Sequence, residues 1–193
     1  EVGQFLKDNN RISSPTSMLR VLLTTHYSKK AYREIIGLVG RQEYDIAHVH
    51  NFFPQISPSI FHAFDHLRLP CVMSVHNFRL IYPNGLMYHR GRIDERTLTG
   101  SAYQCVKDKV YRNSYLQTAV AAHMIEYHRA RRTWHRLVDR FICLSAFQKS
   151  KLALGGIPAR KCMIKPNFIR DPLPGMPSGS QHAKTYFIFA GRL

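Results

Sequence analysis

The sequence predicts an α/β fold: a mainly parallel sheet with flanking helices. Three observations predict it. Strand-like and helical runs alternate along the chain. Two apolar runs, residues 46–51 and 71–77, are joined by a helical segment and short loops, a βαβ pattern that implies parallel pairing and a right-handed crossover. Both runs end in the same polar pair, His50-Asn51 and His76-Asn77. Strands that stop abruptly in titratable residues mark a site at the carboxyl edge of a parallel sheet.

Residues 2–6 are a short strand candidate, and 7–10 a polar loop. Residues 16–40 read as helices: Tyr32, Ile35, Ile36 and Val39 keep helical spacing, and Gly40 stands where a helix ends. After the strand at 46–51, Ser57-Pro58 fits an N-cap followed by proline at the first helical position, opening a helix to about Leu67. Leu69-Pro70 breaks it, and the strand at 71–77 comes next. Residues 86–101 read as an irregular loop and 103–111 as a short helix. Residues 114–137 read as one long helix of about 36 Å. On it Leu116, Val120, Met124, Tyr127 and Trp134 share one side, and Arg129, Arg132 and Arg136 another. Residues 141–144 are a further strand, Ser145 caps a helix over 146–154, and Gly155-Gly156 ends it. Residues 171–184, rich in proline and glycine, read as a linker. The final apolar run, 186–193, starts something new, so a fragment of a longer protein is expected.

Composition narrows the function. The 193 residues suffice for one domain with a real core. Hydrophobic residues make up 45% of the chain, which excludes a disordered one. No apolar run approaches the roughly 20 residues of a membrane span. Cys71, Cys105, Cys143 and Cys162 are widely spaced, which suggests reduced core thiols in a cytoplasmic protein. Charge is the outlier: 28 Lys and Arg against 12 Asp and Glu, a formal net of +16. Such a chain is drawn to nucleic acid, anionic lipid or phosphorylated substrates.

Period two puts His48 and His50 on one face of their strand. A metal site there would need ligands from other strand ends, and Asp45 stands at the wrong end. The simpler reading keeps His48 hydrogen-bonded and leaves His50 at the sheet edge. Two His-Asn pairs at equivalent strand ends suggest a shared polar crevice, the plainer alternative being polar residues that cap loops. Arg129, Arg132 and Arg136 fit either a solvated helix face or, with Lys107, Lys109 and Arg112 just before, a surface for phosphates or lipid headgroups. Gly191-Arg192 after an apolar strand fits a backbone turn close to an anion.

Taken together, these residues resemble a family. The run Asp45-Ile46-Ala47-His48-Val49-His50-Asn51-Phe52-Phe53-Pro54, then Ser57-Pro58-Ser59, then Ser74-Val75-His76-Asn77-Phe78-Arg79-Leu80 with Pro83-Asn84-Gly85, is similar to the amino-terminal domain of family 4 glycosyltransferases, which have the GT-B fold. Val138-Asp139-Arg140-Phe141-Ile142-Cys143-Leu144-Ser145, Lys165-Pro166-Asn167-Phe168 and Phe189-Ala190-Gly191-Arg192-Leu193 keep the family's order. The resemblance implies a Rossmann-like acceptor-side domain over 1–170 lacking its first strand, a linker over 171–184, and the first strand of a donor-binding domain over 185–193.

It also implies site roles. His76 resembles the histidine near the transferred sugar, with His50, Asn51, Asn77 and Asn84 on the acceptor side. Gly191 and Arg192 resemble the turn that neutralises the donor diphosphate. No metal or other cofactor is expected, and the nucleotide sugar is a co-substrate. Many relatives carry a cysteine cluster after Pro83-Asn84-Gly85; here Ile93-Asp94-Glu95-Arg96 stands in its first part and Cys105 remains. Where relatives often have Ser-Glu-Phe, this chain has Ser145-Ala146-Phe147.

The expected function is transfer of a sugar, with retention, to a cell-surface polysaccharide or lipid-linked acceptor. The expected place is the cytoplasmic face of the membrane, with no nucleic acid as partner and no activity in the fragment alone. The alternative is a non-catalytic basic module that holds nucleic acid or an anionic membrane, and a third reading is a metal hydrolase on His48 and His50.

Overall fold

The computed structural model describes residues 4–5, 24–53 and 56–168. The strand expected at 2–6, the helical residues 16–23, the linker and the final run with Gly191 and Arg192 lie largely or wholly outside these.

Four parallel strands form the sheet: β1 (Ala47–Val49), β2 (Cys71–Val75), β5 (Arg140–Cys143) and β6 (Cys162–Ile164), in that spatial order. Val49 pairs with Met73, Val75 with Cys143 and Cys143 with Ile164. Cys71 N–H donates to the Asp139 carboxylate at 2.8 Å, which fastens the start of β2 to β5. The α/β class and the parallel sheet are as the alternation predicts. Strand β6 was not expected, because the segment it closes reads as a loop. It forms because β5 offers an open edge, and Cys162 supplies the one buried side chain.

Helix α1 (Lys29–Val39) starts at Ser28, whose hydroxyl accepts from Ala31 N–H. Ile35 is buried and Ile36 and Val39 pack on the core, as their spacing predicts. Helix α2 (Ser59–His66) supplies the β1–β2 crossover. It starts one residue later than the Ser-Pro pattern suggests. Ser57 Oγ instead accepts from Ser28 N–H at 2.9 Å and from Ser59 N–H at 3.3 Å. Ser59 Oγ in turn donates to Ser28 O at 2.8 Å. This buried serine cluster seals the starts of α1 and α2 together, and Ser57 adopts a left-handed φ of 60° to reach it.

Between β2 and β5 the expected loop is a built structure. A hairpin, β3 (Tyr88–His89) with β4 (Arg92–Ile93), is followed by the short helix α3 (Arg96–Thr99) and a 3₁₀ turn, Ala102–Cys105. Buried Asp94 organises it. Its carboxylate accepts from Tyr82 Oη at 2.6 Å and Arg96 Nε at 2.8 Å, while Arg96 also pairs with Asp108. These contacts hold the Asp94 carboxyl below its usual range against the opposing effect of burial. Asp94 is buried but Arg96 is partly exposed, so breaking this pair costs less than the loss of a fully buried one, about 3–5 kcal/mol. Ion pairing therefore holds this loop around buried Cys105, whose thiol burial pushes up to about 11.

The single helix expected over 114–137 is two: α4 (Tyr115–Ala130) and α5 (Thr133–Arg136). Arg132 at φ 53° breaks the run. A continuous helix would carry Trp134 about 120° round from His128, at 3.6 residues per turn. The break turns Trp134 into the core instead, against Phe52 and Phe61 at 6.0 and 5.6 Å between ring centroids. His128 locks it, since its Nδ1 lies 2.9 Å from Thr133 Oγ1 and its Nε2 lies 2.9 Å from His26 O. The buried face of α4 is Thr118, Ala121, Ala122, Met124, Ile125 and His128, while Leu116 is exposed. Helix α6 (Ala146–Leu154) runs as predicted, with Ser145 Oγ accepting from Gln148 N–H at 3.1 Å. All four cysteines are buried with free thiols.

Candidate active site

The carboxyl ends of β1 and β2 lie side by side, so the residues leaving one strand meet those leaving the other. Period two places His48 and His50 on the same face as Ser74 and His76. The contacts run diagonally across the register. His48 pairs in the ladder with Val72, but its Nε2 lies 2.9 Å from Ser74 Oγ, two residues further on. His50 repeats the offset one step out: its Nδ1 lies 2.9 Å from His76 Nε2. The rings of His48 and His50 sit 4.3 Å apart, and those of His50 and His76 stack at 5.2 Å. Both His-Asn pairs thus contribute their histidine to one ladder, as two polar strand ends in one crevice require.

The hydrogen bond constrains charge. One ring nitrogen must carry the proton and the other must offer its lone pair. The pair can therefore hold one positive charge with its bond intact, but not two. Lys165 brings a fixed positive charge to the ladder's surroundings. Burial lowers the pKa of His48 first, and nearby His50, Lys165 and His76 lower it further. Lys165 comes just after β6, and its backbone N–H donates to Cys143 O at 2.9 Å. Asp45 stands at the opposite end of β1, as predicted. This edge therefore suits an anionic ligand, and a phosphate accepts from imidazolium, ammonium and imidazole N–H alike. Among the described residues no group of three or more His, Cys, Asp or Glu is placed to hold a metal ion.

Asn51 is exposed beside His50. The other two expected acceptor-side amides are committed locally. Asn77 Oδ1 accepts from Arg79 N–H at 2.9 Å. Asn84 Oδ1 accepts from Leu86 N–H at 2.8 Å, while its Nδ2 donates to Tyr88 O at 2.9 Å. Both shape the loop after β2. Gly85 is needed there: its φ is +78°, and a Cβ would stand 3.2 Å from Asn77 Oδ1.

The three arginines expected on one helix face lie on two helices and at the break between them. Arg129 pairs with Glu126 at 2.9 Å and donates to Thr97 O and Gly100 O, which ties α4 to α3. Arg132 occupies the helix break, and Arg136 is exposed on α5.

Three residues carry contacts here that the sequence pattern does not single out. Ser74 lies two before His76, so period two could have found it. Lys165 could have been found once β6 was recognised. Arg79 carried no signal of its own. Its guanidinium lies between the Phe53 and Tyr111 rings, 4.5 and 4.4 Å from their centroids, and donates to Pro83 O and to Asn84 O. It fixes the loop that leaves His76, a cation–π role that depends on partners distant in sequence.

A family model described as Glycosyltransferase Family 4 matches residues 9–171. No curated protein and no solved structure matches the chain.

Proposed function

Because the chain belongs to glycosyltransferase family 4, we propose that it forms the acceptor side of a transferase that uses a nucleotide-sugar donor. The acceptor is a lipid-linked or cell-surface glycan, and the transfer proceeds with retention. The observation that carries this reading is the His50–His76 pair on the sheet edge beside Lys165. His76 presents its Nδ1 to the transferred sugar or the acceptor hydroxyl, while His50 fixes the ring through Nε2. The anomeric carbon–oxygen bond to the diphosphate breaks, the acceptor oxygen takes that carbon, and the acceptor's proton leaves with the diphosphate. Charge develops on the departing diphosphate, so cations aimed at it supply much of the acceleration. In this reading Gly191 and Arg192, at the start of the donor-binding domain, are that clamp, and Asn51 lines the acceptor side. The work is done at the cytoplasmic face of the membrane.

The test is His76→Ala in the enzyme carrying both domains. Transfer should fall by orders of magnitude while donor binding, followed by calorimetry, stays nearly intact. Full activity in the variant would remove His76 from the reaction.

A further inference from the structure

A second surface lies on the loops that leave the carboxyl end of β2. The β3–β4 hairpin points Tyr88 and Ile93, direct partners in the ladder, to one side. Ile93 is 76% exposed and neighbouring Leu86 67%. Asn84 joins the hairpin to the turn at 109–113, since its Nδ2 donates to Tyr88 O and also reaches Val110 O at 3.5 Å. Beyond that turn Tyr115 and Leu116 are exposed, with Lys109 Nζ 4.5 Å above the Tyr115 ring.

Basic residues accompany these apolar side chains along the chain, although Arg92, the ladder partner of His89, takes the other face of the hairpin. Arg90, Arg92, Lys107, Lys109 and Arg112 make no ion pair among the described residues, whereas Arg96 takes both Asp94 and Asp108, and Glu95 pairs with Lys151 at 2.6 Å. The segment 84–116 thus carries six Lys and Arg against three Asp and Glu, an excess of three positive charges. The backbone is committed as well. Met87, Arg90, Lys109, Arg112 and Asn113 hold left-handed φ between 48 and 54°, a conformation that L residues adopt at a cost and that marks functional segments.

We infer that the hairpin and the turn at 107–116 form a docking surface for an anionic lipid bilayer. Aliphatic and aromatic side chains enter the interface while the accompanying cations meet the headgroups. Leu86, Ile93 and Leu116 offer no stacking face to a base, which favours a bilayer; Tyr88 and Tyr115 do offer one, so single-stranded DNA is an arm of the test. The surface belongs to the same loop system as the His50–His76 pair, joined to it through Arg79 and Tyr111. A lipid-linked acceptor would therefore arrive at the correct edge of the sheet. The inference rests on the proposed function only for that last step, because vesicle binding is read without sugar transfer and each can fail alone.

The experiment is sedimentation with vesicles of equal parts phosphatidylcholine and phosphatidylglycerol, set against phosphatidylcholine alone. Each lost cation should weaken partitioning roughly fivefold. The variant Arg90→Gln/Lys107→Gln/Lys109→Gln should therefore lose on the order of a hundredfold. Arg132→Gln/Arg136→Gln, on the rival surface, should bind like the unmodified chain. An Ile93→Cys variant offers one exposed thiol, since the native cysteines are buried. An environment-sensitive dye there should shift to the blue on the anionic vesicles. Three results would each overturn the inference: unchanged partitioning of the triple variant, binding lost through Arg132 and Arg136 instead, or retention of single-stranded DNA without retention of vesicles.

Discussion

His50 Nδ1 lies 2.9 Å from His76 Nε2, across the ends of two adjacent parallel strands. His76, proposed to face the reacting groups, is thus oriented by a partner that its own strand does not supply. His50→Ala should leave His76 unanchored and lower kcat/KM for transfer roughly tenfold to a hundredfold, the scale of a hydrogen bond to a charged group. Residues acting as a unit are not additive. His50→Ala in a His76→Ala background should therefore cost little more. Equal losses in both backgrounds would show that His50 acts without His76.

Buried His128 predicts acid sensitivity. Burial lowers its pKa to about 4, against an ordinary value of 6.5. The unfolded chain therefore takes up a proton that the folded chain refuses. Stability from this residue is complete above pH 6.5 and is lost as pH falls towards about 4. The loss amounts to about 3 kcal/mol by linkage. His26, His48, His62 and His135 are lowered too and act in the same direction. Urea unfolding at intervals across this window should show the decline. His128→Gln should be less stable at neutral pH but flatter with pH, and a variant with the same slope would deny His128 its part.

Gly155, just past α6, permits contact with the loop after β2. A Cβ there would meet Ile81 Cγ2 at 2.7 Å and Ile81 Cβ at 2.9 Å. Ile81 is itself buried, 1% exposed. Gly155→Ala should cost about 1–3 kcal/mol by overpacking. The penalty should shrink in an Ile81→Ala background, which removes the nearest methyl. A chemical-denaturation cycle measures this coupling, and strict additivity would mean that the two residues do not press on each other.

Much of the fold was legible because it is written locally. The spacing of Ile35, Ile36 and Val39, the capping role of Ser145, and the βαβ unit between His48 and His76 all come from neighbours in sequence. The pairing of His50 with His76 came from the repeat of one motif at two strand ends. The features that the sequence hides depend on distant partners. Nothing around Arg132 announces a break, because the cause is the space between Phe52 and Phe61 that Trp134 fills. The loop after Gly85 looked irregular because its order comes from Asp94, Arg96 and Asp108, three charged residues that composition alone assigns to solvent. The turn-closing bonds of Asn77 and Asn84 are not legible in the sequence, because an amide that closes a turn and one that meets a sugar are written with the same letter.

The break after α4 also equips the protein with an optical tag. Trp134 is the chain's one tryptophan and is 3% exposed. Its indole touches the aromatic residues that come after β1 and begin α2, and lies 5.4 Å from the His128 ring. Intrinsic fluorescence therefore reports on a single junction, where the α4–α5 arm meets the segment that carries His50 towards its partner. A red shift that precedes loss of helical signal would mean that this joint opens before the domain does.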